Sequence, residues 1–174
     1  SLDHLHTDHI DSYVLHGPSQ RVGLAAQDRQ AWFAMENLHE QGAIGVLGVS
    51  NFRAEQLEIL LAEANVRPTF VQNRCFAVTG WDQQVRRICE KHDMIYQGFS
   101  LLTANQQVWK GRNVGDFAKS YGMTPAQIIF CFALELDILP LTGTSDSNHM
   151  RADLACSRGV LDSEEIQRLE KIAL

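Results

Sequence analysis

Gly45-Val46-Leu47-Gly48-Val49 is an apolar run of small and β-branched residues that is too short for a helix and stops abruptly at Ser50-Asn51-Phe52. A helical pattern begins at once behind it, with Leu57, Leu60, Leu61 and Ala64 on one stripe. A run of that kind is a strand buried on both faces, as in a parallel sheet. Polar residues at the carboxyl end of such a strand stand where α/β proteins gather ligand chemistry. Ser or Asn in that place is also an ordinary helix cap, so Ser50 and Asn51 have two readings on their own.

The same alternation recurs along the chain. Ile10 to Leu15 alternates, turns apolar and ends at His16-Gly17-Pro18, and Trp32, Met35 and Leu38 then repeat at helical spacing until Gln41-Gly42 closes the helix. Thr69 to Val71 is a short strand after Pro68, ending at Gln72-Asn73, and Val85, Ile88 and Cys89 mark another helix. Met94 to Phe99 is a strand ending at Ser100, and Ile138 to Leu141 is one ending at Thr142-Gly143-Thr144-Ser145. Between them, Thr124-Pro125 reads as the cap and first turn of a helix that Ile128, Ile129, Phe132 and Leu134 make well buried. Asp162 and Glu165 have capping-box spacing at the start of the last helix. Five strands with intervening helices predict a single α/β domain over residues 1–174, its parallel sheet either open and doubly wound or part of a barrel. Gly98 to Gly115 has the weakest periodicity and reads as a long, functional or mobile βα loop.

A chain of 174 residues suits one domain with a real core. Its formal net charge of -6 leaves no electrostatic footprint for nucleic acid or an anionic membrane, and no apolar run approaches the length of a bilayer span. Cys75, Cys89, Cys131 and Cys156 lie far apart, three of them in apolar contexts, which fits reduced thiols in a cytoplasmic protein. His4-Leu5-His6-Thr7-Asp8-His9 matches no standard zinc spacing and reads as a solvated turn, so no metal is expected.

Asp8-His9-Ile10-Asp11-Ser12-Tyr13-Val14-Leu15-His16-Gly17-Pro18, Gly45 to Phe52, Pro68 to Gln72, Gly98-Phe99-Ser100-Leu101-Leu102, Thr124-Pro125-Ala126-Gln127 and Leu139-Pro140-Leu141-Thr142-Gly143-Thr144 follow in an order that resembles the aldo-keto reductase family. The resemblance covers essentially the whole chain. It implies a (β/α)8 TIM-barrel type of fold, here an incomplete barrel with five parallel strands, and the reduction of aldehydes and ketones to alcohols with NADP(H) or NAD(H). It begins at the family's fourth strand, with Leu2 and Leu5 as the tail of the helix before it. The family's catalytic Tyr, and the Asp and Lys that tune it, come from the first three units and have no counterpart here. Negligible activity is therefore expected of these residues alone.

Of the family's catalytic group the resemblance leaves His16, whose neutral imidazole would donate a hydrogen bond to a substrate carbonyl. It implies that Ser50, Asn51 and Gln72 bond the nicotinamide carboxamide and that Phe99 offers its face to the nicotinamide ring. Ser100, Leu101 and Leu102 would begin the loop over the pyrophosphate. Gly143, Thr144 and Ser145 would meet the adenosine phosphate, ahead of a helix whose first amides suit an anion. Many NADP-specific members carry Lys where Gly143 stands and Arg where His149 stands. Both are absent, although Arg151 lies close by, so the resemblance tilts only slightly toward NADP(H). The partners implied are a small-molecule carbonyl substrate and, because open strand edges invite pairing, a second copy or a chain carrying the missing units. The alternative is a non-catalytic nucleotide-binding or regulatory protein of the same fold.

Overall fold

A computed structural model describes residues 2–173 of the chain. Strand and helix alternate as α1 (Leu2–Leu5), β1 (Ile10–Leu15), α2 (Ala26–Glu40), β2 (Ile44–Ser50), α3 (Ala54–Glu63) and β3 (Phe70–Arg74). A 3-10 turn at Ala77–Thr79 precedes α4 (Gln83–Lys91) and β4 (Ile95–Phe99). There follow α5 (Gln106–Trp109), α6 (Arg112–Tyr121), α7 (Pro125–Glu135), β5 (Ile138–Pro140), α8 (Ser147–Leu154) and α9 (Ser163–Glu170). The five strands are parallel and lie in sequence order, β1-β2-β3-β4-β5. The expected strands form within two residues of their sequence boundaries, except that β3 runs on to Arg74, three residues past Val71. Gly98 to Gly115 is not one loop but holds α5 and the start of α6.

The chain divides into two compact units, Ser1–Asn73 with Gln84–Tyr96, and Arg74–Gln83 with Gln97–Leu174. In the first, β1 and β2 run in register from Ile10 opposite Ile44 to Leu15 opposite Val49, and Ser50 lies opposite Gln72 of β3. Gly45 is required by this pairing, since a Cβ there would come within 2.6 Å of the Asp11 carbonyl oxygen. Trp32, Leu47, Val49, Leu57 and Val71 form the centre of the core. Leu38 departs from the expected stripe and is 41% exposed. Two steps of three residues turn a helix about 240° away from Trp32, whereas Glu36, four residues on, stays on the buried face. Its carboxylate accepts from the Trp32 indole at 2.9 Å, from the main-chain amides of Asn65 and Val66 at 2.8 Å each and from the Asn65 side chain at 3.2 Å. One buried carboxylate thus ties α2 to the turn behind α3.

In the second unit, α7 is apolar on every side, with Ile128 to Ala133 all buried. Its start is built as the sequence predicts: Thr124 accepts from the Gln127 amide at 3.2 Å and Pro125 fills the first turn. Asp162 and Glu165 form the expected capping box on α9. Trp81 is fully buried, packs edge-on against Phe132 with ring centroids 5.0 Å apart, and donates its indole N–H to the Leu169 carbonyl at 3.0 Å. Gly80, Trp81 and Asp82 are all left-handed, at φ 65°, 56° and 56°. Asn105 is buried beside the turn after β4: it accepts from the Ala77 amide at 2.8 Å and donates to the carbonyls of Cys75 at 2.9 Å and Leu101 at 2.8 Å. The four cysteines are free thiols, and Cys75, Cys89 and Cys131 are buried.

Candidate functional site

In the first unit the carboxyl ends of β1 and β2 and the middle of β3 bring His16, Ser50, Asn51 and Gln72 together. Ser50 is the last residue of β2 and is 3% exposed. Its hydroxyl donates to the Gln72 carbonyl at 2.7 Å and accepts from the Asn51 side-chain amide at 3.1 Å. Asn51 turns left-handed, at φ 60°, a conformation Asn tolerates better than most residues. The turn aims its Nδ2 at the His16 carbonyl, 2.8 Å away, while its main-chain amide donates to the Gln72 carbonyl at 3.0 Å. The β1 strand end is therefore held by the residue after β2. Both Nδ2 hydrogens of Asn51 are committed within the protein, and the residue is exposed. His16 is exposed at the same strand end.

Asn73, one residue past Gln72, completes this corner and was not singled out from sequence. It is buried, accepts from the Phe52 amide at 3.1 Å and returns a bond to the Phe52 carbonyl at 2.7 Å. The loop leaving His16 is fixed as well. Asp28 takes the Ser19 amide at 2.9 Å, the Ser19 hydroxyl at 3.1 Å and the Ala25 amide at 2.9 Å. Gln56 donates to the carbonyls of Gln20 and Gly23, each at 2.9 Å. Buried polar side chains fix the path of this loop together with Leu24, which is buried in the core.

In the second unit Phe99 closes β4, and Ser100 behind it is left-handed at φ 58°. The Arg74 guanidinium lies 5.7 Å from the Phe99 ring centroid and 5.9 Å from that of Phe76, within cation–π range. Arg74 is a site neighbour that sequence reasoning missed. Ser100 and Leu102 line a cavity of about 210 Å³ with Phe130, Leu141 and Gly143. Leu101 also borders this cavity and is otherwise buried. The turn is tight: the Ala104 amide bonds the Ser100 carbonyl at 2.9 Å, and the Trp109 indole bonds the Leu102 carbonyl at 2.9 Å.

Gly143, Ser145, His149 and Arg151 are exposed around the start of α8, with Thr144 half-buried among them. Thr144 Oγ1 accepts from the Asp146 amide at 3.1 Å. Asp146, not anticipated, caps α8, its Oδ1 accepting from the amides of Asn148 at 2.7 Å and His149 at 3.4 Å. Arg151 donates to the Asn148 side chain at 3.3 Å. The signal for Asp146 was present in the sequence, because Asp directly before a helix is among the strongest caps. Among the described residues no three His, Cys, Asp or Glu side chains gather as a metal site needs, and no helix is long and apolar enough to cross a membrane.

A model of the aldo/keto reductase family matches residues 1–174. The chain is 27% identical over 192 residues to the NADPH-dependent alpha-keto amide reductase of Saccharomyces cerevisiae, covering 100% of this chain and 59% of that protein. It is 29% identical to the NAD/NADP-dependent indole-3-acetaldehyde reductase of Schizosaccharomyces pombe, covering 97% and 61%. Among solved structures, an aldo-keto reductase from a Medee basin deep-sea metagenome library superposes with a TM-score of 0.85 at 22% identity, covering 98% of this chain and 62% of that one. An aldo-keto reductase complexed with NADPH gives 0.84 at 19% identity, covering 98% and 56%. The chain thus spans about three-fifths of the length of the curated relatives it matches.

Proposed function

Because the chain belongs to the aldo/keto reductase family along its whole length, we propose that it supplies the cofactor-holding share of a nicotinamide-dependent reductase of aldehydes and ketones. Its five parallel strands with intervening helices are the fold of part of a (β/α)8 barrel. The observation that carries the proposal is the joining of His16, Ser50 and Asn51, at the ends of β1 and β2, with Gln72 of the adjacent β3.

A bound NADP(H) or NAD(H) supplies the hydride. With its Nδ2 bonded to His16 and Ser50, Asn51 would have its Oδ1 as the acceptor for the carboxamide NH2 of the cofactor. Ser50 and Gln72 complete the carboxamide corner. By the family resemblance, Phe99 of the second unit would support the nicotinamide ring, Ser100 and Leu102 would hold the pyrophosphate turn, and Gly143, Thr144, Ser145, His149 and Arg151 would surround the adenosine end. His16 donates a hydrogen bond to the carbonyl oxygen of a small-molecule substrate and favours the charge that develops there. The proton comes from a tyrosine outside these 174 residues, as in the family. Absence of such an acid typically costs about 100-fold to 10,000-fold in rate. If these 174 residues occur as written, a second copy or a polypeptide carrying the remaining units would meet their open strand edges. Its buried free thiols suit a reducing, cytoplasmic setting.

Titration of the purified chain with NADPH and with NADH, followed by cofactor fluorescence, tests the cofactor site. Saturable change is expected, with no carbonyl-dependent oxidation above background. No change with either nucleotide overturns the site. Robust turnover lost on His16→Ala overturns the division of labour. Saturable binding that persists without turnover when a chain supplying the first units is added favours a nucleotide-binding regulatory protein of the same fold.

A further inference from the structure

We infer that Asp146 makes the adenosine end of this site select a dinucleotide whose ribose keeps its free 2′-hydroxyl, NAD(H), over the 2′-phosphorylated form. The inference rests on the proposal that the adenosine end lies at Gly143 to Arg151, and it reverses the slight tilt toward NADP(H) that the resemblance gives.

The main-chain amides at the start of a helix are what an approaching phosphate uses. In α8 two of those donors are already spent. Asn148 and His149 give their N–H groups to Asp146 Oδ1 at 2.7 Å and 3.4 Å. Those two amides, the Asn148 amide foremost, hold the Asp146 carboxyl below its ordinary value, so it stays ionised near neutrality. A 2′-phosphate arriving here meets a fixed negative charge and no vacant first-turn amide among these two.

The segment offers one permanent positive charge in return. Gly143 and Ser145 carry none, and Arg151 lies five residues beyond Asp146, one of its guanidinium nitrogens donating to the Asn148 side chain at 3.3 Å. A ribose diol, by contrast, is a neutral pair of donors. The second oxygen of Asp146 accepts no hydrogen bond among the described residues and is free to take one from a ribose hydroxyl. An acidic side chain on the ribose is the established physical device for preferring the unphosphorylated cofactor in another dinucleotide fold. The electrostatic part of this preference is exposed, so it weakens as salt is raised.

The experiment measures binding of four probes to the purified chain: NADH, NADPH, 5′-AMP and adenosine 2′,5′-bisphosphate. The last two isolate the adenosine end. The wild type is expected to bind NADH and 5′-AMP at least as tightly as their 2′-phosphorylated counterparts. Asp146→Asn keeps a good cap and so preserves α8. It is expected to shift both ratios toward the phosphorylated probes by about 3- to 10-fold at low salt, and by less at high salt. Asp162→Asn, the equivalent cap change on α9, controls for stability and should leave the ratios unchanged. A wild type that binds NADPH about ten times more tightly than NADH, or ratios indifferent to Asp146→Asn, overturns the inference while leaving the cofactor site standing. Failure to bind any probe overturns the cofactor site itself.

Discussion

The side chain of Asn51 donates to the main-chain carbonyl of His16 across 2.8 Å, linking the ends of two strands through residues 35 positions apart in sequence. Removing that bond and removing the tolerance of Asn for a positive φ are separable. Asn51→Gly deletes the side chain but accepts φ 60° freely, and about 1 kcal/mol of stability should be lost. Asn51→Ala adds the left-handed penalty, about 1 kcal/mol more. Urea unfolding midpoints of the two variants check this, and equal losses would show that the turn carries no conformational demand.

Glu36 accepts bonds from the Trp32 indole, two main-chain amides and the Asn65 side chain while 3% exposed. Glu36→Ala strands several buried donors at once and should destabilise the chain by about 3 kcal/mol. Glu36→Gln, which keeps the volume and one acceptor, should lose less. Protection of the Asn65 and Val66 amides from hydrogen exchange should fall in step, and unchanged protection would refute the clamp.

Burial pushes the Asp28 carboxyl up, but the amides of Ala25 and Ser19, the Ser19 hydroxyl and the neighbouring Arg29 together pull it below the ordinary 3.8. A carboxylate lowered by folding stabilises the folded state above its unfolded value and loses that contribution as pH falls through the folded one. The advantage of the wild type over Asp28→Asn should therefore be full at about pH 6 and shrink steadily below about pH 4. Midpoints measured across that range decide it. A gap that widened with acid would give the shift the opposite sign.

Asn105 holds three main-chain groups around the turn after β4. Asn105→Ala should cost about 2–3 kcal/mol because Ala77, Cys75 and Leu101 each lose a partner away from water. It should also speed exchange at the Ala104 amide, whose acceptor is the Ser100 carbonyl. Loss of stability without faster exchange there would mean that Asn105 supports the core and not the turn.

The strand β2 was legible because it is an apolar run bounded by turn residues, and burial on both faces writes itself into consecutive positions such as Val46-Leu47 and Val49. By contrast β1, exposed from Asp11 to Tyr13, was legible from its alternation and its stop at His16-Gly17-Pro18. The helix α6 was hidden because its buried face is small: Val114 and Ala118 are its buried residues, with Gly115 between them. The strand-end polar residues of the site were legible for the same reason as the strands. What they do with their hydrogen atoms was not. Whether the Asn51 amide serves a ligand or the His16 carbonyl depends on pairing between distant positions, as does the placing of Arg74 over Phe99.

Trp81 and Leu169 are 88 residues apart, yet the indole of one is satisfied by the carbonyl of the other. During synthesis the chain emerges from its amino end, so the left-handed turn at Gly80 to Asp82 leaves the ribosome long before its anchor exists. Until α9 arrives, that indole must bond water or a substitute acceptor, and its neighbourhood stays wet. Trp81 therefore reports the arrival of α9: its emission should shift to shorter wavelength only when the chain has been made through Leu169, and nascent chains stalled short of it should lack that shift.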